Sequence, residues 1–371
     1  MADQTLAQSG ALKKPLHVQQ DAKVFENEGV RVRRVENCLL CGKQGQPLYA
    51  DLRDRLFDAP GVWSISRCQD CGLVWLNPKP ISEDVHKLYK SYYTHENGNL
   101  DLRRTNWRPK LMDAIRATTL GYKQLLPGAG WYWVGRAAAL IPLLRDNATG
   151  SLMFLTASRR GTLLDVGCGS GGFLAMMRGL GWDVQGIEPD PEAARIARET
   201  RKLTVISGTL EGARLPPASF DAVTTHHVVE HVPDPVALMA ECRRILRPGG
   251  RLVMITPNSS SLGHAAFGKA WFALDPPRHL HIFTARALRR AAESAKLEIK
   301  ALRTMSRGSR DAFIYSRLIS REGSINLDGT KRYGRTLRLG GWSFWAVEET
   351  ARLVVPYTGE ELILVADKPN G

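Results

Sequence analysis

Leu163-Leu164-Asp165-Val166-Gly167-Cys168-Gly169-Ser170-Gly171 is an apolar run that breaks into a turn with glycine at every second position. Glycine permits positive φ and lets a backbone approach a ligand closely, and Phe173-Leu174-Ala175-Met176-Met177 resumes as a helix whose N-terminus faces the turn. Two cofactor chemistries fit such a turn. Gly167, Gly169 and Gly172 satisfy the GxGxxG spacing that receives a dinucleotide pyrophosphate. Asp165, just before the turn, suits the ammonium and sulfonium of S-adenosylmethionine and would repel a pyrophosphate, so the carboxylate favours the methyl donor. Trp182 to Ile187 reads as a second strand ending at Glu188, about 20 residues past the first glycine, where an acid accepts both ribose hydroxyls. That feature serves either cofactor.

Farther on, Ser219-Phe220-Asp221-Ala222-Val223 begins a strand that runs into Thr225-His226-His227-Val228-Val229-Glu230-His231-Val232. A helix from Asp234 to Leu246 ends at Arg247-Pro248-Gly249-Gly250, and Arg251 to Ile255 forms another strand. With these elements in place the chain resembles the class I S-adenosylmethionine-dependent methyltransferases. It is similar to their bacterial branch with an EHV element after the fourth strand (Glu230-His231-Val232) and an HLHIFT-like element after the fifth (His279-Leu280-His281-Ile282-Phe283-Thr284). The resemblance runs over residues 160 to 305, and the motifs in this order and spacing are specific together. It implies an α/β, Rossmann-like sheet of seven mostly parallel strands with helices on both faces, closed by an antiparallel strand at Glu360 to Asp367. The loops after Val166, Ile187, Val229 and Ile255 then converge on the ligand. The cofactor-binding set that follows is Asp165, Gly167, Cys168, Gly169, Gly171, Glu188, Pro189, Thr209, Leu210, His226 and His227. Thr209 departs from the acid or amide common there in the family, which leaves backbone contacts of Gly208-Thr209-Leu210-Glu211 to border the adenine.

Methyl transfer is a displacement at a carbon already activated by sulfonium. The protein must align donor and acceptor and remove an acceptor proton where one is present, which calls for a base rather than a nucleophile. His231 is the first candidate, with Glu230 to orient or charge-balance its imidazole and His279 or His281 opposite. The competing reading has the EHV element packing or capping its loop. Asp275-Pro276-Pro277-Arg278 superficially resembles the DPPY of amino-methylating DNA enzymes, but it follows the fifth strand and lacks the aromatic residue, so it reads as a turn.

Upstream stand Cys38-Leu-Leu-Cys41-Gly42 and Cys68-Gln-Asp-Cys71-Gly72. Each CxxC puts two thiolates on one tight turn, and two turns complete the tetrahedron that zinc prefers. With all four ligands from the protein, this zinc is expected to be structural. A redox pair is the alternative, but a thioredoxin-like CxxC would open a helix rather than appear twice with glycines. Cys168 and Cys242 read as turn and helix packing. Such a ribbon ahead of the core also resembles the zinc-containing sugar C-methyltransferases, although their long C-terminal domain is missing, and Tyr89, Tyr92 and Tyr93 stand where that family covers its substrate pocket.

The 371 residues, 43% of them hydrophobic, suggest two domains. The expected division is a disordered N-terminus (1–30), a zinc ribbon (31–80), a helical connector or lid (81–160) and the methyltransferase domain (161–371) with a helical insertion at 306–358. The first 30 residues lack an apolar signal core and no run of 18 apolar residues appears, so a cytoplasmic protein is expected. Two stretches are unusually aromatic, Trp131 to Leu144 and Gly341 to Val347. Core packing, a greasy substrate and peripheral contact with a bilayer all remain open for them. The net charge of +14 leaves a solvated basic surface, an anionic membrane, a phosphate-bearing substrate and nucleic acid as candidate explanations. The leading function is methyl transfer to a small-molecule, sugar or lipid-linked acceptor. The alternative is an RNA methyltransferase that uses the ribbon to recognise RNA.

Overall fold

In the computed structural model, which describes residues 23–89, 107–325 and 333–370, the strand Thr162–Val166 is buried at four of its five positions. A strand covered on both faces reads as such an unbroken apolar run. It lies parallel between Asp183–Glu188 and Phe220–His226. Thr204–Ser207 extends the sheet on one side and Leu246–Pro257 on the other, both parallel to their neighbours. Glu361–Asp367 then pairs antiparallel with Leu246–Pro257, and Glu298–Met305 closes the edge, giving the expected seven strands. Strand order reverses beside Thr162–Val166, and the carboxyl ends flanking such a reversal are where sheets of this kind take ligands.

Alternation along the strands feeds two core layers. Leu164, Val166, Leu252, Met254, Leu362 and Leu364 point to one face, where Leu238, Met239 and Cys242 of the helix Pro235–Ile245 and Leu288, Ala291 and Ala292 of Ala285–Ser294 cover them. Leu163, Val253, Ile255 and Ile363 point to the other, under Leu174 and Met177 of Gly172–Gly179 and Ala194 and Ala197 of Pro191–Glu199. Side chains cap three of these helices: Asp190, Asp234 and Thr284 each accept from backbone N–H groups of the first turn, contributing about 1 kcal/mol apiece.

Order begins earlier than the polar composition of the N-terminus suggests. Val24–Asn27 and Val30–Arg33 form an antiparallel hairpin, inside and just past the segment expected to be disordered; residues 1–22 lie outside the described residues. Val30 and Val32 are fully buried against Leu52, Trp63, Val74 and Leu88, and the Asn27 amide exchanges hydrogen bonds with the backbone of Val62. Two valines on one face outweigh the polar residues around them.

The cysteine-bearing segment builds a second sheet from Gly45–Leu52, Trp63–Cys68 and Val74–Leu76, and its fourth strand is His281–Ile282, from the far half of the chain. The small sheet is therefore not free-standing. Past it come Ser82–Tyr89, a 3-10 helix, and the connector helices Trp107–Leu120, Trp131–Ala138 and Pro142–Gly150. The insertion supplies Ser309–Glu322 and Arg335–Val354. Among the described residues no helix is long and apolar enough to cross a membrane.

Candidate functional site

Gly167, Gly169 and Gly171 take φ of +74°, +53° and +81°, so the turn needs residues without a Cβ penalty. A Cβ on Gly167 would meet Val228 at 2.5 Å and one on Gly171 would meet Leu203 at 2.4 Å, whereas one on Gly169 would meet nothing within 4 Å. The Gly169 side of the turn is thus open to a ligand. Glu188 lies across it, one carboxylate oxygen accepting from the Gly169 N–H at 2.8 Å and the other from the Asp190 N–H at 2.8 Å. Asp165 is buried beneath and accepts from the Thr224 hydroxyl at 2.7 Å. Burial pushes Asp165 up to about 7, against the Thr224 hydrogen bond and helped by the charge of Glu188; burial raises Glu188 as well. Two buried carboxylates with no cation beside them among the described residues fit a ligand that brings an ammonium and a sulfonium.

A pH dependence follows. An acid whose pKa is raised to about 7 is neutral below that value, and a cationic ligand prefers it ionised. Affinity for S-adenosylhomocysteine, through its ammonium, is expected to fall as pH drops through about 7, by up to about tenfold per unit. Calorimetric titration across that range checks this, and a flat profile contradicts it.

The rest of the expected cofactor set divides. Cys168 is a buried residue of the turn, its backbone N–H donating to Ile187, and Pro189 is exposed beside Glu188. Thr209 is exposed and its hydroxyl accepts from the Gly212 N–H. Leu210 differs from expectation: it is buried in the core layer, which leaves that loop's backbone and Thr209 toward solvent. His226 is exposed at the end of its strand, its ring 4.4 Å from that of His227. His227 has another task. Its Nδ1 lies 2.9 Å from Glu230 and its Nε2 2.8 Å from Glu361, so neither nitrogen is left for a cofactor. Burial opposes its charge, but the two carboxylates prevail and raise it to about 10. It is an imidazolium that ties the end of one strand to the start of the last.

The expected catalytic group divides too. Glu230 does not hydrogen-bond to His231; its oxygens take His227 and the Thr256 hydroxyl. Burial alone would raise Glu230, yet the contact with His227 holds it well below the usual carboxylate range. His281 faces away: it is fully buried in the small sheet, with Nε2 2.6 Å from Lys79 Nζ, and burial together with that ammonium holds it far below the usual imidazole value. It belongs to the small sheet, paired with Trp75, and not to the ring pair of His231 and His279.

His231 and His279 do meet, with ring centroids 4.7 Å apart. His231 Nδ1 lies 3.1 Å from the carbonyl of Arg278 and 3.2 Å from the Tyr89 hydroxyl; His279 Nδ1 lies 2.8 Å from the carbonyl of Ala273. A carbonyl can only accept, so each Nδ1 carries a proton; in a neutral His231 the lone pair is then on Nε2, while His279 Nε2 lies 3.9 Å from an Asp275 carboxylate oxygen. Burial, reinforced by His279, lowers His231 to about 4, which keeps it neutral at pH 7. The loops are stitched together, since the Leu280 and His281 N–H groups donate to the Glu230 carbonyl. Tyr89 reaches the site from the connector; Tyr92 and Tyr93 lie outside the described residues.

Sequence reasoning missed Arg278, Asp54 and Glu361. The Arg278 guanidinium is fully buried and bidentate to Asp54, at 2.6 and 2.7 Å, and also meets Asp275. The (i, i+3) spacing of Asp275 and Arg278 was the only local signal. The four cysteines come together with all four sulfurs within 4.8 Å of one another, Cys38 to Cys71 at 3.5 Å and Cys41 to Cys68 at 3.4 Å. A zinc with Zn–S of about 2.3 Å needs sulfur pairs about 3.8 Å apart, so a small expansion accommodates it.

A family model described as a methyltransferase domain matches residues 138–302. The chain is 33% identical over 156 residues to the ubiquinone biosynthesis O-methyltransferase of Thiobacillus denitrificans, covering 39% of this chain and 67% of that protein. It is 35% identical over 151 residues to the protein of the same name from Xanthomonas oryzae pv. oryzae, covering 38% and 62%. The chain thus spans about two thirds or less of these relatives. A solved S-adenosylmethionine dependent methyltransferase from Mesorhizobium loti overlays with a TM-score of 0.41 at 17% identity, over 59% of this chain and 96% of that one.

Proposed function

This chain belongs to the S-adenosylmethionine-dependent methyltransferases, and from that premise we propose that it transfers the methyl group to an oxygen of a small, lipid-linked acceptor, with His231 as the base. The observation that carries the reading is the His231 imidazole, neutral at pH 7 and bonded through Nδ1 to the Arg278 carbonyl so that Nε2 keeps its lone pair, with the ring of His279 4.7 Å away. The donor, when bound, supplies a methyl carbon activated by sulfonium. Asp165 and the Gly167–Gly171 turn would hold its charged end, and Glu188 its ribose. His231 accepts the acceptor's proton on Nε2, and the Arg278 carbonyl stabilises the imidazolium that forms through its Nδ1–H. Both curated relatives carry the name of an O-methyltransferase of ubiquinone biosynthesis, which supports oxygen as the acceptor atom.

A lipid link is supported by what the two aromatic stretches do. Core packing does not account for them: Trp133 is 72% exposed and Leu140 82% in the first stretch, and Trp342 49% and Val347 58% in the second. On the helix Arg335–Val354 the exposed positions from Leu339 onward are Leu339, Trp342, Ser343, Ala346, Val347, Thr350, Leu353 and Val354, none charged, while Arg335 and Arg338 stand exposed at its start. Its acids turn inward, Glu348 to Ser309 and Glu349 to Arg352. Arg352 also reaches Asp146 on Pro142–Gly150, the helix that directly follows the exposed Leu140 and Ile141. Uncharged, tryptophan-bearing faces flanked by arginine on a chain of charge +14 suit the surface of an anionic bilayer on its cytoplasmic side.

Two assays test this. With tritiated S-adenosylmethionine, label is expected in an organic-solvent extract of membranes and not in total RNA; label at a defined RNA position, with binding that survives physiological salt, overturns the reading. The protein is also expected to sediment with phosphatidylglycerol vesicles, and Trp133→Glu with Trp342→Glu to weaken this at least about tenfold without changing S-adenosylhomocysteine affinity. Unchanged sedimentation removes the lipid surface from the account.

We also infer that Cys38, Cys41, Cys68 and Cys71 hold one structural zinc and that residues 31–80 form its ribbon. Purified protein is expected to carry about one zinc per chain, and Cys38→Ser to lower metal content and melting temperature with cofactor affinity retained. Metal-free protein that melts normally refutes the site.

A further inference from the structure

We propose that the small cysteine-bearing sheet sets the state of the base, with Asp54 acting through Arg278 as a positioning residue for His231. The proposal rests on the reading of His231 as the base, and its first test is independent of turnover.

Asp54 follows the strand Gly45–Leu52 of the small sheet. Its carboxylate is fixed from its own side by the N–H groups of Leu56, Phe57 and Ala59 at 2.8 to 3.3 Å. It takes both terminal nitrogens of Arg278 in a fork whose two side chains are fully buried. Phe57, from the same loop, lies under the guanidinium with its ring centre 4.7 Å away. A planar guanidinium held by a fork and a ring has little rotational freedom left. The backbone of that arginine supplies the carbonyl to His231 Nδ1 at 3.1 Å, and the same turn supplies the carbonyl of Ala273 to His279. The turn is closed by the N–H groups of Arg278 and His279 on the Asp275 carbonyl. The Thr284 hydroxyl on the Cys71 carbonyl and the pairing of His281–Ile282 with Val74 and Trp75 bind the two halves on either side of this contact.

The Asp54 carboxylate is enclosed in the buried fork with Arg278. Its effect must pass through a carbonyl position, and a carbonyl moved off Nδ1 no longer dictates which nitrogen of His231 carries the proton. Without that constraint Nε2 is protonated part of the time and ceases to be a base. The other groups that bear on His231 are Tyr89, Glu230, Asp275 and His279, and none of them fixes the tautomer as a carbonyl does.

The test is nitrogen NMR on the full-length, zinc-loaded chain with labelled histidine. In the unmutated protein His231 is expected to be the Nδ1–H tautomer and to stay neutral well below pH 6. In Asp54→Asn a mixture of tautomers is expected, with His264, whose Nδ1 lies 2.7 Å from the Ser259 carbonyl, unchanged as the internal control, and Asp54→Glu, which keeps the charge, should recover most of the single tautomer. Transfer of tritiated methyl to the membrane extract should fall by about tenfold to hundredfold in Asp54→Asn, since small misplacements of catalytic groups cost that much, while S-adenosylhomocysteine affinity and zinc content hold. An Nε2–H tautomer in the unmutated protein overturns the proposal even if Asp54→Asn does not fold. So does a folded Asp54→Asn chain whose His231 spectrum is unchanged. If instead the tautomer responds and His231→Ala retains full activity, it is the assignment of the base that fails.

Discussion

Gly169→Val is expected to weaken S-adenosylhomocysteine binding at least about hundredfold, equivalent to about 2.8 kcal/mol. Gly169 sits at φ +53°, where a β-branched residue is strained by about 1–2 kcal/mol. Its missing Cβ points into open space, so the isopropyl group would occupy the ligand's side of the turn. Its N–H also holds Glu188 at 2.8 Å, and a displaced turn would release that carboxylate. Glu188→Ala is expected to lose about tenfold to hundredfold, because hydrogen bonds to a charged group contribute about 1.5–3 kcal/mol. NAD should not bind either form or the unmutated chain. Calorimetry decides the matter, and tight NAD binding with no response to S-adenosylhomocysteine would reverse the cofactor assignment.

His231→Ala is expected to slow methyl transfer by about 10²–10⁴, the usual contribution of a positioned base, while cofactor affinity changes by less than about twofold. The His231 side chain bonds to Tyr89 and to the backbone of Arg278, so truncation is expected to leave the Gly167–Gly171 turn intact. His279→Ala should cost less, since it leaves His231 Nε2 in place. His227→Gln should act differently. It removes a cation that bridges Glu230 and Glu361, so its main effect is on stability. With a folded pKa near 10, above the ordinary value of about 6.5, that contribution is complete below about 6.5 and lost as pH rises through about 10. Melting temperatures of the two variants between those limits separate the roles.

What the sequence disclosed here was local. The Leu163 to Gly171 run, Glu188 at the end of the next strand, and the paired CxxC turns each carry their meaning within a few residues, and the structure assembles all three. The pairs that finish the site were hidden by distance along the chain: Asp54 and Arg278 are 224 residues apart, and His227 and Glu361 134. No periodicity joins such positions, because only the meeting of the small sheet with the large one makes them neighbours. Glu230 and His231 are adjacent, and the EHV spelling made them a pair. The backbone sends one side chain into the core toward Thr256 and the other toward the carbonyl of Arg278. Composition hid Val30 and Val32 among polar residues and left core packing open for Trp133 and Leu140, which are exposed.

The most direct measurement is a crystal structure of the full chain with S-adenosylhomocysteine. The ribose hydroxyls are expected on Glu188, the ammonium toward Asp165, and the sulfur opening toward Nε2 of His231 and the ring of His279. A ligand bound elsewhere, or one whose sulfur faces away from both histidines, would contradict this arrangement.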